Sequence, residues 1–135
     1  KRNFFLSSAK EFMEGRDPAI GLSNSDTLYQ IPVENFFSIL SVRLNPSKVD
    51  GELINGCFIF DRKKKIKTTI RNQVLEISSY FEEEDCDFIV SSEEITFKEV
   101  LAGIKGPIKT LGAGEMEMKK GNSVAFLTYL SKFTD

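Results

Sequence analysis

A chain of 135 residues, 41% hydrophobic and 28% charged, is one domain's length, can bury roughly two-thirds of its unfolded surface, and is not disordered, collagen-like or coiled coil in composition. Its net charge of -2 gives no electrostatic reason to expect nucleic acid as a partner. Histidine is absent, which removes the usual general base, the usual zinc ligand and every Ser-His or Cys-His nucleophile pair.

Twelve phenylalanines and no tryptophan imply a dry, apolar interior, since Phe brings large area without a polar handle. Cys57 and Cys86 are read as two reduced thiols, buried or half-buried, of a cytoplasmic protein, with a secreted or periplasmic parent as the alternative. No apolar run reaches transmembrane length, and the one after Lys1-Arg2 is too short for a signal peptide. A start at Lys1 rather than Met leads us to expect part of a longer protein.

Phe5, Ala9, Phe12 and Met13 share one helical face, so residues 1–15 are assigned to a helix that Gly15 stops. Residues 16–25, with Gly, Pro, Ser and Asn and no periodicity, form a linker. The domain proper is placed at 26–135. Ser25 or Asp26 caps a short turn through Gln30, and Pro32 opens a helix with Val33, Phe36, Phe37, Leu40 and Leu44 on one face, ending at Asn45-Pro46.

Three strands follow in a meander. The first, about 52–60, has apolar residues on both faces and is expected to be central. The second, about 65–71, turns Ile66, Thr68 and Ile70 inward, and the third, about 74–80, sets Leu75 and Ile77 beside them. The connection at Asn72-Gln73 resembles a two-residue hairpin turn, but positive φ at Gln73 would cost about 1–2 kcal/mol, so a longer loop is expected. The basic run 61–65 and the acidic run 82–85 should leave the sheet at the same end and attract each other, each exposed pair contributing at most about 1 kcal/mol. The adjacent acids and the lack of interleaved aromatics weigh against a nucleic-acid patch, and the acidic run lacks the spacing of a calcium loop.

Residues 87–92 make a fourth strand, and Thr96 with Glu99 forms a capping box for a short helix closed by Gly103. Residues 104–113, with Gly106, Pro107 and Gly112, are expected to be a mobile connection. A fifth strand at 115–118 carries Met116 and Met118. Gly121-Asn122-Ser123 then caps a last helix with Phe126, Tyr129, Leu130 and Phe133 on one face. The fold class is α+β, a five-stranded, mainly antiparallel sheet packed against helices.

This order of elements resembles the sterol-carrier-protein type 2 domain and, more narrowly, the C-terminal domain of bacterial alkyl sulfatases of the metallo-β-lactamase superfamily. The narrower likeness is carried by Arg2-Asn3-Phe4-Phe5-Leu6 with Ala9 and Glu11, by Val42-Arg43-Leu44-Asn45 through Lys48 and Gly51, by Leu101-Ala102-Gly103, and by Gly114-Glu115-Met116-Glu117-Met118. It departs from that family at Gln73, where Gly is preferred, and by an extra residue near Lys119-Lys120.

The resemblance implies an apolar tunnel between sheet and helices. Its lining would be Phe36, Phe37, Leu40 and Leu44 above Phe58, Phe60, Ile66, Ile70, Leu75 and Ile77, closed by Met116, Met118, Phe126 and Leu130. Such a module would bind an aliphatic or lipid-like molecule without catalysing anything. The zinc of an alkyl sulfatase would belong to a separate catalytic domain, with no catalytic residue, cofactor or metal assigned to this chain. Partners implied are the ligand and either a second copy or that catalytic domain, reached through the N-terminal helix. The alternative is a structural or dimerisation domain with a solid core, since apolar alternation suits a packed interior equally well.

Overall fold

The computed structural model describes residues 30–133, so the helix, linker and capped turn assigned before Gln30 lie outside the described residues. The sheet comprises β1 (Ile54–Phe60), β2 (Lys64–Arg71), β3 (Val74–Ser78), β4 (Phe88–Ser92) and β5 (Met116–Lys120), in the order β3-β2-β1-β4-β5. It is mixed: β1 runs parallel to β4, and every other neighbouring pair is antiparallel. The apolar residues on both faces of β1 correspond to its central place, with Phe58 facing the helices and Cys57 facing away, both fully buried.

The helices α1 (Val33–Arg43), α2 (Glu94–Leu101), α3 (Pro107–Gly112) and α4 (Ser123–Ser131) contribute to one continuous core on the inner face of the sheet. In α1 the buried residues Val33, Phe36, Phe37 and Leu40 follow the helical repeat and form its sheet-facing stripe. Pro32 has no N–H to offer and is the residue before the helix. The first helical N–H, that of Val33, donates to the Glu94 carboxylate at 3.2 Å, from the start of α2.

The hairpin turn corrects the expected longer loop. β2 ends at Arg71 and β3 starts at Val74, so Asn72 and Gln73 make a two-residue connection with φ of 54° and 64°. This geometry matches the strand twist and is the reason it is tolerated at Gln73. The Gln73 side chain also donates to the Pro46 carbonyl at 3.0 Å, a return that a glycine could not give.

The capping box is likewise overturned. Thr96 lies inside α2 and is buried, because the helix already begins at Glu94. The first N–H is capped from elsewhere: Glu94 N donates to Asp61 Oδ1 at 3.1 Å, across from the β1–β2 turn. Gly103, with φ of 81°, does close the helix, and Ile104 N returns to the Glu99 carbonyl.

Residues 104–113 are not an unstructured connection, since they include α3, with Pro107 in its first turn and Thr110 buried. The extra residue near Lys119 is absorbed by a register shift: Val90 pairs with Met118, but Ile89 pairs with Lys120, leaving one additional residue on β5. Asn122 caps α4 as expected, accepting from Ala125 N at 3.0 Å.

The two cysteines are not reduced thiols. Cys57 and Cys86 form a disulfide with their Cα atoms 6.0 Å apart, within the normal span of such a bond. It joins the connection between β3 and β4 to the outer face of the sheet, where Phe81, Ile89 and Ile59 complete a second, smaller apolar cluster. Among the described residues no contact ion pair joins the two charge runs. Lys64 bonds Glu34 at 2.8 Å, Lys65 sits 5.2 Å from the Phe81 ring centre, and the Glu83 carbonyl accepts from Lys120.

Candidate functional site

The residues expected to line a tunnel converge on the space between sheet and helices. Phe36, Phe37, Leu40, Leu44, Phe58, Phe60, Ile66, Ile70, Leu75, Met116, Phe126 and Leu130 are all buried there. Met118 is half-buried against the same cluster, whereas Ile77 remains 42% exposed. Phe88, Phe97 and Tyr129, which sequence reasoning left out of this lining, stand among them. The Phe58 ring centre lies 5.0 Å from Phe97, 5.3 Å from Phe37, 5.9 Å from Phe88 and 6.0 Å from Tyr129. These are the spacings of packed aromatic pairs.

One polar chain crosses this interior. The Thr68 hydroxyl donates to the Gly56 carbonyl at 2.8 Å, which leaves the Tyr129 hydroxyl, 2.7 Å away, to donate to Thr68. Burial pushes the Tyr129 phenol well above its ordinary pKa near 10. Gly56 makes the arrangement possible, because a Cβ there would stand 2.7 Å from the Phe88 ring and 3.1 Å from the Tyr129 ring.

The interior reaches solvent beside Ile77. A groove of about 630 Å³ runs between the start of α1 and the β2–β3 pair, with Ile66 and Ile77 as its apolar floor and Glu34, Lys63, Lys64, Ser78 and Ser79 around it. Ile77 pairs with Thr68 and shares the inner face with Leu75, which pairs with Ile70, so the groove continues the core's own surface. At its rim a hydrogen bond from Lys64 holds the Glu34 carboxyl below its ordinary pKa. Desolvation works against the Lys64 ammonium, but Glu34 and the charge of Glu94 outweigh it and raise its pKa. Behind the rim, Glu94 accepts from Lys98 at 3.2 Å, although Lys98 is only 3% exposed.

The sequence signal for this rim was the lysine run 63–65, which reads as an ordinary solvated turn. A second concavity, about 790 Å³, lies on the outer face between the β1–β2 turn and β5, lined by Ile59, Arg62, Ser91, Glu117 and Lys119 among others. Its charges are mixed, and Lys119 is already paired with Glu117 at 2.8 Å. The sequence contains no histidine, and among the described residues no three potential metal ligands stand together.

Comparison with known proteins agrees with this architecture. Residues 22–135 match the family described as alkyl sulfatase C-terminal. The chain is 27% identical over 136 residues to the alkyl/aryl-sulfatase BDS1 of Saccharomyces cerevisiae, covering 99% of this chain and 21% of that protein. It thus spans about a fifth of the length of that curated relative.

Among solved structures, the stereoselective inverting sec-alkylsulfatase Pisa1 from Pseudomonas sp. superposes with a TM-score of 0.69 at 20% identity, over 78% of this chain and 17% of that one. The ubiquinone synthesis protein UbiJ-SCP2 superposes with a TM-score of 0.53 at 11% identity, over 75% of this chain and 91% of that one. At such identities these likenesses speak for the fold, which is of the sterol-carrier-protein type 2 kind. With its elements, its register and the match over residues 22–135, the chain belongs to the alkyl sulfatase C-terminal family.

Proposed function

We propose that this chain is a non-catalytic binding module for an aliphatic chain, forming part of an alkyl sulfatase-like hydrolase and helping to receive the tail of its substrate. The observation that carries the reading is the groove at Ile66 and Ile77, where the inner face of the sheet opens to solvent beside α1. An alkyl chain laid there would gain about 0.8 kcal/mol per buried CH₂, so a few methylenes give useful affinity with few polar contacts. Family membership and the names of the sulfatase relatives support an alkyl substrate. The disulfide supports the secreted or periplasmic alternative over a reducing cytoplasm.

A second reading, a structural domain with a solid core, is favoured by the close ring packing around Phe58. Titration with dodecyl maltoside below its micelle threshold, followed by native mass spectrometry and isothermal calorimetry, separates the two. The binding reading expects one bound chain, weakened about tenfold or more by Ile77→Asp, since the buried methylenes would meet a charge. Absence of any bound chain would leave the structural reading standing.

A further inference from the structure

The connection between β3 and β4, residues 79–87, crosses the outer face of the sheet as a strap. Its middle is solvated: Tyr80 is 60% exposed, and Glu82, Glu83, Glu84 and Asp85 are exposed. Only two of its side chains go inward, Phe81 at 4% exposure and Cys86 at 3%. Non-covalent fastening is sparse. Lys65 lies 5.2 Å from the Phe81 ring centre, Lys120 donates to the Glu83 carbonyl at 2.9 Å, and Asp87 exchanges hydrogen bonds with Asn55 at the end where β4 begins. The disulfide to Cys57 supplies the remaining attachment, at the centre of the outer cluster.

We propose that the Cys57–Cys86 bond is a redox-controlled staple: oxidised, it holds the strap over the outer face, and reduced by a dithiol it lets the strap lift and uncovers Phe81, Ile89 and Ile59. The exchange balances as follows. A thiolate of the dithiol attacks Cys86 Sγ, the bond to Cys57 breaks, and Cys57 sulfur takes a proton. The second thiol of the reductant then displaces Cys86 sulfur, which also takes a proton, and the reductant leaves as its cyclic disulfide. Two electrons and two protons pass from one dithiol to the chain. Both sulfurs are buried, so attack waits on opening of the strap, and the rate of reduction reports that opening.

The inner face shares no covalent tie with the strap. Its core residues belong to a separate cluster from Cys57, Phe81, Cys86 and Ile89. Loosening is therefore local, and it stands whether or not the groove binds a ligand.

The test uses the full chain, equilibrated with glutathione disulfide or with dithiothreitol. Thiols are counted after denaturation in alkylating reagent, and amide hydrogen exchange is read by peptide mass spectrometry. The staple predicts no alkylated thiol in the oxidised sample and two after reduction. It also predicts exchange in peptides covering 79–87 faster by on the order of tenfold on reduction, with peptides of β2 and α1 unchanged. Ile89→Ala in the oxidised state should leave the strap protected, because the bond and the polar fastenings remain in place. Free thiols in the oxidised sample would overturn the proposal. So would equal exchange in both states, or reduction that speeds exchange uniformly across the chain, which would make the bond a global support rather than a local staple.

Discussion

Replacing Gly56 by alanine tests the packing of the inner face at its tightest point. The added Cβ would lie 2.7 Å from Phe88 Cζ, 3.1 Å from Phe88 Cε2 and 3.1 Å from Tyr129 Cε1. Neither ring can retreat easily, since Phe88 is 5.9 Å from both Phe58 and Phe126 and 5.2 Å from Tyr129, measured between ring centres. Overpacking of this kind costs about 1–3 kcal/mol. Alanine recovers roughly 0.5–1 kcal/mol of that by restricting the unfolded chain. We therefore expect Gly56→Ala to lose about 1–2 kcal/mol in urea unfolding followed by circular dichroism, with an unchanged denaturant slope. Phe88→Leu should itself destabilise through the cavity it leaves. Combined with Gly56→Ala it should recover about 1 kcal/mol or more relative to additivity, because the methyl enters the space vacated. An alanine variant as stable as the parent, or a strictly additive pair, would refute the proposed contact between this backbone position and the two rings.

The remaining expectations concern single fastenings. Tyr129→Phe should cost about 1 kcal/mol by removing the hydroxyl that donates to Thr68. Because the folded phenol titrates above its ordinary value near 10, parent stability is intact below pH 10 and falls as pH rises beyond it, by up to about 1.4 kcal/mol per unit. The phenylalanine variant should lose that share of the alkaline slope, read as urea midpoints between pH 8 and 11. Gln73→Gly should stabilise by about 0.5–1 kcal/mol, as relief of backbone strain exceeds the lost exposed bond to Pro46, and calorimetry should show a Tm rise of about 2–6 °C. Glu94→Gln should cost about 1–3 kcal/mol in urea unfolding, because it weakens the cap on Val33 and withdraws the carboxylate from Lys98 and Lys64.

What the sequence revealed of this fold was its periodicity. Ile66, Thr68 and Ile70 alternate with charge and take the inner face, and Val33, Phe36, Phe37 and Leu40 take the helix stripe, because local repeat and burial agree. Failures came where a partner distant in sequence decided the matter. Thr96 looked like a cap, but the cap came from Asp61. Gly106 and Pro107 looked like breakers, yet glycine precedes α3 and proline occupies its first turn, where a missing N–H costs nothing. Two cysteines 29 positions apart carry no local mark of a bond, and only the crossover of the strap brings them together. The groove was hidden for a different reason. Ile77 and Leu75 are equivalent in alternation, and only the placing of α1 decides that one is covered and the other open.

The two faces of the sheet meet at Lys65, which borders the groove and also lies over the Phe81 and Tyr80 rings, 5.2 and 5.6 Å from their centres. A cation held over aromatic rings at a partly exposed site is stabilised by about 0.5–1 kcal/mol. If the strap lifts on reduction, that hold is lost and the ammonium is free to turn toward an anion at the groove's mouth. Affinity for dodecyl sulfate should then rise on reduction by up to about fivefold at low salt, the same 0.5–1 kcal/mol transferred. The gain should fade as ionic strength increases. Dodecyl maltoside, without charge, should bind equally in both redox states, and Lys65→Gln should abolish the difference. A redox effect of equal size on both amphiphiles would place the coupling in the apolar floor instead of at this lysine.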